Sequence, residues 1–193
     1  MSFVHRLDLI LGGVRSGKSR EALRLAAEFP RGVRGAFLAT AQALDSDMKA
    51  RVARHQAERP KGWATVEEPY DPVRACESLA GRYDVVILDC LTLWVANLLL
   101  RGDKDTSILQ SVDALGRCIA LRRFSLIMVS NEVGAGVHPA TEVGLHFRDM
   151  LGEVNQRIAT LADRVTYMVA GIPMTIKNVQ LPEDLRARTF EGP

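Results

Sequence analysis

Gly12-Gly13-Val14-Arg15-Ser16-Gly17-Lys18-Ser19 fits the pattern G-x-x-x-x-G-K-[ST] of a phosphate-binding P-loop. Its surroundings suit it. The apolar stretch Leu7-Asp8-Leu9-Ile10-Leu11 before it reads as a buried strand. The run Ser19 to Glu28 after it is rich in strong helix formers. A glycine loop between strand and helix lets backbone N–H groups turn inward around an anion, which the positive end of the helix then faces. Lys18 supplies a charge for the outer phosphates, and the Ser19 hydroxyl is a ligand for Mg²⁺.

Working outward, Phe37-Leu38-Ala39-Thr40 reads as a second buried strand, with Thr40-Ala41-Gln42 leaving the sheet at a carboxyl end, where ligands of open α/β sheets sit. Asp45 to Glu58 reads as a helix capped by Asp45 or Ser46. Met48, Val52, His55 and Arg59 share one stripe of it, so His55 points inward with the apolar residues. Arg51, Arg54 and Arg59 lie near it in sequence. On charge grounds they disfavour imidazolium and favour a neutral, nucleophilic ring. A partly packed histidine on a basic helix is the alternative on these residues alone.

Trp63 to Pro69 alternates like a short strand, closing on the paired carboxylates Glu67 and Glu68, which the charge pattern alone reads as a solvated strand end. Asp71 to Arg82 opens as a helix with Pro72 at its first position. Tyr83-Asp84-Val85-Val86-Ile87-Leu88-Asp89 is the clearest strand, and an aspartate closing such a strand downstream of a P-loop reads as a Walker B carboxylate for Mg²⁺. Leu91 to Leu100 is apolar nearly all round, either a buried helix or a surface that another subunit covers.

Thr106 to Arg123 reads as an amphipathic helix and Phe124 to Ser130 as a buried strand. The glycine-rich loop Asn131 to Pro139 follows, then a long helix over Thr141 to Ala162. Arg164 to Ala170 and Gly171 to Lys177 read as a strand, a tight turn and an antiparallel edge strand, with a polar tail beyond Asn178. The pattern predicts an α/β fold, a P-loop NTPase-like single domain over residues 1–193, with a mostly parallel sheet flanked by helices and an antiparallel edge hairpin near the C-terminus.

Composition bounds the rest. The 193 residues are 47% hydrophobic and 25% charged with a formal net charge of +2, which carries no nucleic-acid signature. No stretch is long enough to span a membrane. The three cysteines, Cys76, Cys90 and Cys118, lack metal-ligand spacing, and apolar or helical contexts make Cys90 and Cys118 read as buried free thiols. An odd, unpaired set and the lack of a signal-peptide pattern place the chain in the cytoplasm.

Several stretches together resemble the bifunctional adenosylcobinamide kinase / adenosylcobinamide-phosphate guanylyltransferase of cobalamin biosynthesis. They are the P-loop, Phe37 to Gln42, Asp47 to His55, Arg59-Pro60, Glu67-Glu68-Pro69, Asn131-Glu132-Val133-Gly134, Phe147-Arg148-Asp149, Asn155-Gln156 and Gly171-Ile172-Pro173. The resemblance implies a kinase step from ATP or GTP onto the aminopropanol arm of the corrinoid. It also implies a transfer of GMP from GTP through a guanylylated histidine, which falls on His55. Nucleotide contacts fall on Gly12, Gly13, Val14, Arg15, Ser16, Gly17, Lys18 and Ser19, on Ala39, Thr40 and Ala41, on Gln56, Ala57, Glu58 and Arg59, and on Glu67 and Asp89. Mg²⁺ falls on Ser19 and Asp89. The partners implied are the small-molecule corrinoid and nucleotides, with a homotrimer as the assembly. His146 stands where an arginine is common in the family. Another P-loop kinase, or a nucleotide-gated switch module, remains open on the residues alone.

Overall fold

The computed structural model describes residues 5–30, 32–42 and 46–179, without the side chains of Asp47, Met48 and Arg51. The Asp45 cap, the side-chain place of Met48 on its stripe and the tail beyond Val179 lie outside the described residues.

Seven strands form one sheet in the order β3-β2-β4-β5-β1-β6-β7. They are β1 (Leu7–Gly12), β2 (Gly35–Ala39), β3 (Ala64–Glu67), β4 (Val85–Asp89), β5 (Ser125–Val129), β6 (Arg164–Val169) and β7 (Ile172–Asn178). The pairs are parallel except β6 with β7, an antiparallel hairpin at the sheet edge. The helices are α1 (Lys18–Ala26), α2 (Ser46–Ala57), α3 (Pro72–Leu79), α4 (Leu91–Arg101), α5 (Asp105–Ala120) and α6 (Glu142–Leu161). The expected fold class is borne out.

Strand periodicity assigns the two faces. Leu7, Leu9 and Leu11, Ala36 and Leu38, Val86 and Leu88, and Leu126 and Met128 join residues of α3, α4, α5 and α6 in one core cluster. Ile10, Phe37, Val85, Ile87, Ile127 and Val129 join Ala22, Leu25 and Ala26 of α1 in the other. Asp89, two residues beyond Ile87, therefore stands on the α1 face. Thr40 stands on the α4 face.

The apolar run Leu91 to Leu100 is a buried helix. Leu91, Trp94, Val95 and Leu98 have at most 1% of their surface exposed, while Leu100 is 78% exposed. Burying each such side chain stabilises the fold by about 1.5–3 kcal/mol. The thiols differ from expectation: Cys76 is the buried one, and Cys90 and Cys118 are only partly buried. On α5 the cause is position, since Cys118 lies between the buried Leu115 and Ile119 stripe and the exposed face. Among the described residues no helix is long and apolar enough to cross a membrane.

Candidate active site

The P-loop leaves β1 through a run of left-handed backbone. Gly12 has φ 148°, Arg15 57° and Gly17 98°. At Gly12 a side chain has no room, since a Cβ would stand 2.6 Å from the Met168 carbonyl oxygen and 2.7 Å from Ser16 Oγ. Glycine is required there on both counts. Left-handed residues in such a loop turn successive N–H groups to one side, the geometry of an anion nest. Gly17 is also the N-cap of α1 and makes no side-chain cap, so the helix start is left to a ligand. Ser16 Oγ is buried and has no hydrogen-bond partner among the described residues. Lys18 is anchored within the loop, its Nζ donating to the carbonyls of Gly12 (3.0 Å) and Gly13 (2.6 Å). Burial holds the Lys18 ammonium below the usual lysine value, and the neighbouring Cys90 and Asp89 oppose that shift.

The neighbouring strand ends are tied together. β5 lies between β1 and β4, so the P-loop and Asp89 emerge one strand apart. Thr40 Oγ1 donates to the Cys90 carbonyl (2.7 Å) and accepts from the Cys90 N–H (2.9 Å), while the Thr40 N–H donates to the Asp89 carbonyl. From α4, buried Asn97 donates through Nδ2 to the carbonyls of Thr40 (2.8 Å) and Pro69 (3.1 Å). The loops after β2, β3 and β4 are thereby linked to one amide. Glu68 caps the next loop, with Oε1 accepting from the N–H groups of Tyr70 and Asp71, each at 3.0 Å. It is a structural acceptor rather than the solvated strand end expected, because its backbone turns away from β3 after donating to the Ala39 carbonyl.

Helix α2 crosses this face and brings His55 to Asp89, with Nδ1 3.3 Å from Oδ2. The inward direction expected from its stripe holds. Ser19, Phe37, His55, Ile87, Asp89 and Val129 line one narrow cavity, which Glu58 also borders. Two residues past the end of α2, the Arg59 guanidinium lies 4.6 Å over the Phe37 ring and donates to Thr65 Oγ1 at 2.8 Å. Burial lowers the Arg59 pKa, opposed by the charges of Asp89 and Glu67, so Arg59 stands electrostatically between those two carboxylates.

The sequence-nominated residues thus divide. Gly12 to Ser19, Asp89, His55 and Glu58 surround the cavity or its loop. Ala39, Thr40 and Ala41 form the adjoining strand end, with Ala39 and Thr40 buried. Gln56 and Ala57 are exposed on the last turn of α2, and Glu67 is exposed at the end of β3. The Ser19 hydroxyl and Asp89 carboxylate facing one cavity are hard oxygen donors, a set that fits Mg²⁺ sharing its remaining ligands with phosphate and water. Among the described residues no cluster of three or more His, Cys, Asp or Glu could hold a metal by itself.

Residues that sequence reading did not assign to the site include Asn97 and a buried polar chain behind β5. Ser130 Oγ donates to Asn155 Oδ1 (2.7 Å), Asn155 Nδ2 donates to the Asn131 carbonyl (3.0 Å), and the Asn131 N–H donates to Thr92 Oγ1 (2.7 Å). The Glu132 N–H then donates to the Gly12 carbonyl, joining this loop to the P-loop. The available signal was a polar residue interrupting an apolar run, as Asn97 does in α4.

Comparison with known proteins bears on the fold and the family. Solved structures with the same fold include the flagellar accessory protein FlaH of Methanocaldococcus jannaschii (TM-score 0.53, 17% identity, covering 92% of this chain and 81% of that one). The KaiC-like protein PH0186 of Pyrococcus horikoshii is similar too (TM-score 0.50, 16% identity, 84% and 70% covered). At these identities the likeness concerns the fold alone. In sequence, the chain is 45% identical over 174 residues to the bifunctional adenosylcobalamin biosynthesis protein CobP of Pseudomonas aeruginosa, covering 90% of this chain and 99% of that protein. It is 36% identical to the bifunctional adenosylcobalamin biosynthesis protein CobU of Escherichia coli, with 88% and 98% covered. Residues 8–176 match the family described as cobinamide kinase / cobinamide phosphate guanyltransferase, and the chain belongs to that family.

Proposed function

We propose that this one cavity serves two successive group transfers on a corrinoid: phosphorylation of adenosylcobinamide, then guanylylation of the product to adenosylcobinamide-GDP. The observation that carries the reading is the convergence of a phosphate nest, a Walker B carboxylate and an inward histidine on the same narrow space.

In the first transfer the hydroxyl oxygen of the aminopropanol arm attacks the γ-phosphorus of ATP or GTP. The bond to the bridging oxygen breaks and a nucleoside diphosphate leaves. The loop N–H groups and Lys18 offset the negative charge on the triphosphate, as preorganised donors do. In the second transfer a neutral nitrogen of His55 attacks the α-phosphorus of GTP, and pyrophosphate leaves. An oxygen of the corrinoid phosphate then attacks the guanylyl phosphorus, the P–N bond breaks, and the ring is regenerated. The Asp89 hydrogen bond orients the ring toward the cavity. Mg²⁺, held by Ser19 and Asp89, supplies charge neutralisation on the triphosphate when bound. Arg59 and the loop after β2 are assigned to the nucleotide.

Intact mass of the protein after GTP and Mg²⁺ tests the histidine route. A GMP adduct that is acid-labile, base-stable and discharged by adenosylcobinamide phosphate is the expected result. Corrinoid turnover with no adduct under single-turnover conditions would exclude it.

A homotrimer in the cytoplasm completes the reading. The β6–β7 hairpin presents Val169, Ile172, Met174 and Ile176 at the sheet edge, an apolar surface suited to a second copy of the chain. Light scattering of the purified protein checks it; a monodisperse monomer would remove the assembly.

A further inference from the structure

A second cavity lies at the opposite end of the sheet from the P-loop. Arg34 and Gly35 open β2, Lys61 and Trp63 lead into β3, and Arg82 and Tyr83 lead into β4. These three strands are parallel neighbours, so their lead-ins meet at the amino ends of the strands. Thr40 and Asp89 leave the same sheet at the carboxyl ends. The length of a five-residue strand, about 16 Å, separates the two places. The cavity measures about 440 Å³, a size that suits a small ligand. Nothing in the two group transfers uses these residues.

The lining has a clear chemical character. Among the described residues that form it, three carry cations, two carry rings and none is acidic. The cations differ in what they are free to do. Arg34 is committed to Asp84, with Nη2 donating to Oδ1 at 2.9 Å and Nε donating to Oδ2 at 3.2 Å. Lys61 and Arg82 are exposed and form no ion pair among the described residues. The rings differ as well. The Arg82 guanidinium lies 5.7 Å over the Tyr83 ring and so covers one of its faces. Trp63 is held from behind, against the Gly35 backbone and tilted at 5.5 Å from Phe37. It is only half-buried, and its remaining surface borders the cavity. A fixed indole beside two uncompensated cations suits a ligand that joins a flat ring to an anion.

We propose that this cavity is a second nucleotide site, separate from the catalytic one, in which a base stacks on Trp63 and a phosphate meets Lys61 and Arg82. Stacking on a rigid aromatic supplies the base contact without regard to its identity. Lysine and arginine supply the charge-assisted hydrogen bonds that a phosphate accepts. The ligand class is therefore a nucleoside phosphate.

Equilibrium dialysis of the full chain against labelled GMP, without Mg²⁺, tests the site. At saturation the unaltered chain should bind one GMP more than the chain carrying Lys61→Glu and Arg82→Glu. The difference does not depend on how many GMP molecules the catalytic cavity holds. Tryptophan emission gives a second reading that needs no variant, because the other tryptophan, Trp94, is fully buried in α4. GMP should quench the emission saturably. Guanosine and ribose 5-phosphate each lack one half of the ligand and should require at least about tenfold higher concentrations. Equal GMP stoichiometry in the two chains, or an emission that GMP leaves unchanged, would overturn the site. Ribose 5-phosphate acting at concentrations as low as GMP would overturn the nucleotide assignment.

Discussion

His55 Nδ1 stands 3.3 Å from Asp89 Oδ2, a helix residue meeting a strand terminus 34 positions later in the chain. One carboxylate thereby serves two elements of the proposed chemistry: the nucleophilic ring and the hard-cation site. His55→Ala should abolish the GMP adduct and retain the kinase step at least in part, because Lys18 and Ser19 act without the imidazole. Asp89→Asn should lower both rates, since a carboxamide keeps the shape and supplies no charge. Mass spectrometry after GTP and phosphorylation of adenosylcobinamide separate these outcomes. An undiminished adduct on folded His55→Ala moves the nucleophile elsewhere.

Lys18→Ala should cut the kinase rate by on the order of a thousandfold or more while the fold persists. The ammonium bonds two loop carbonyls in this structure, so its loss removes a loop anchor as well as a charge. Circular dichroism beside the rate assay distinguishes the two effects, and a wild-type rate would refute the P-loop assignment.

Gly35→Ala should destabilise the protein without altering the chemistry of the nucleotide. Trp63 packs on the Gly35 backbone, and an added Cβ would stand 2.0 Å from its ring. The ring also lies 5.5 Å from Phe37 and cannot simply retreat. Overpacking of this kind costs about 1–3 kcal/mol. Chemical denaturation followed by tryptophan fluorescence measures it, and an unchanged midpoint would contradict the packing described.

Acid should weaken the fold through His5. Burial lowers its pKa from the usual 6.5, aided by Arg122 and opposed by Asp84. The unfolded chain therefore takes the proton first as pH falls through 6.5, and stability declines until the folded ring also titrates. Above that range the group contributes no pH dependence. His5→Gln should flatten the stability profile between neutral and mildly acid pH, read from thermal unfolding at several pH values; a profile as steep as wild type would assign the effect to other groups.

The fold was legible because its signals are local. A glycine loop between an apolar run and a helix-forming run, and an apolar run closing on Asp89, each announce themselves within a few residues. Alternation along those strands then places Asp89 on the α1 face. Strand order and the clamps around the site are not local. Asn97 bonds to residues 57 and 28 positions away, and the Phe37–Arg59 stack joins a strand to the end of α2. An asparagine in an apolar helix signals a buried partner without naming it. Glu68 was read as solvated because the donors to its carboxylate, the N–H groups of Tyr70 and Asp71, come within reach only once the chain turns.

The Asn97 amide makes the cavity unequal in its two sides. By gripping the carbonyls after β2 and β3 while Thr40 grips Cys90, it welds three loop roots into a single stiff rim. Opposite that rim stands α2, tethered by His55 to Asp89, with Arg59 just past its end held to Phe37 and Thr65, all of them side-chain contacts. The rim is thus held through backbone carbonyls and the facing side through side chains alone, and the histidine belongs to the side held by side chains.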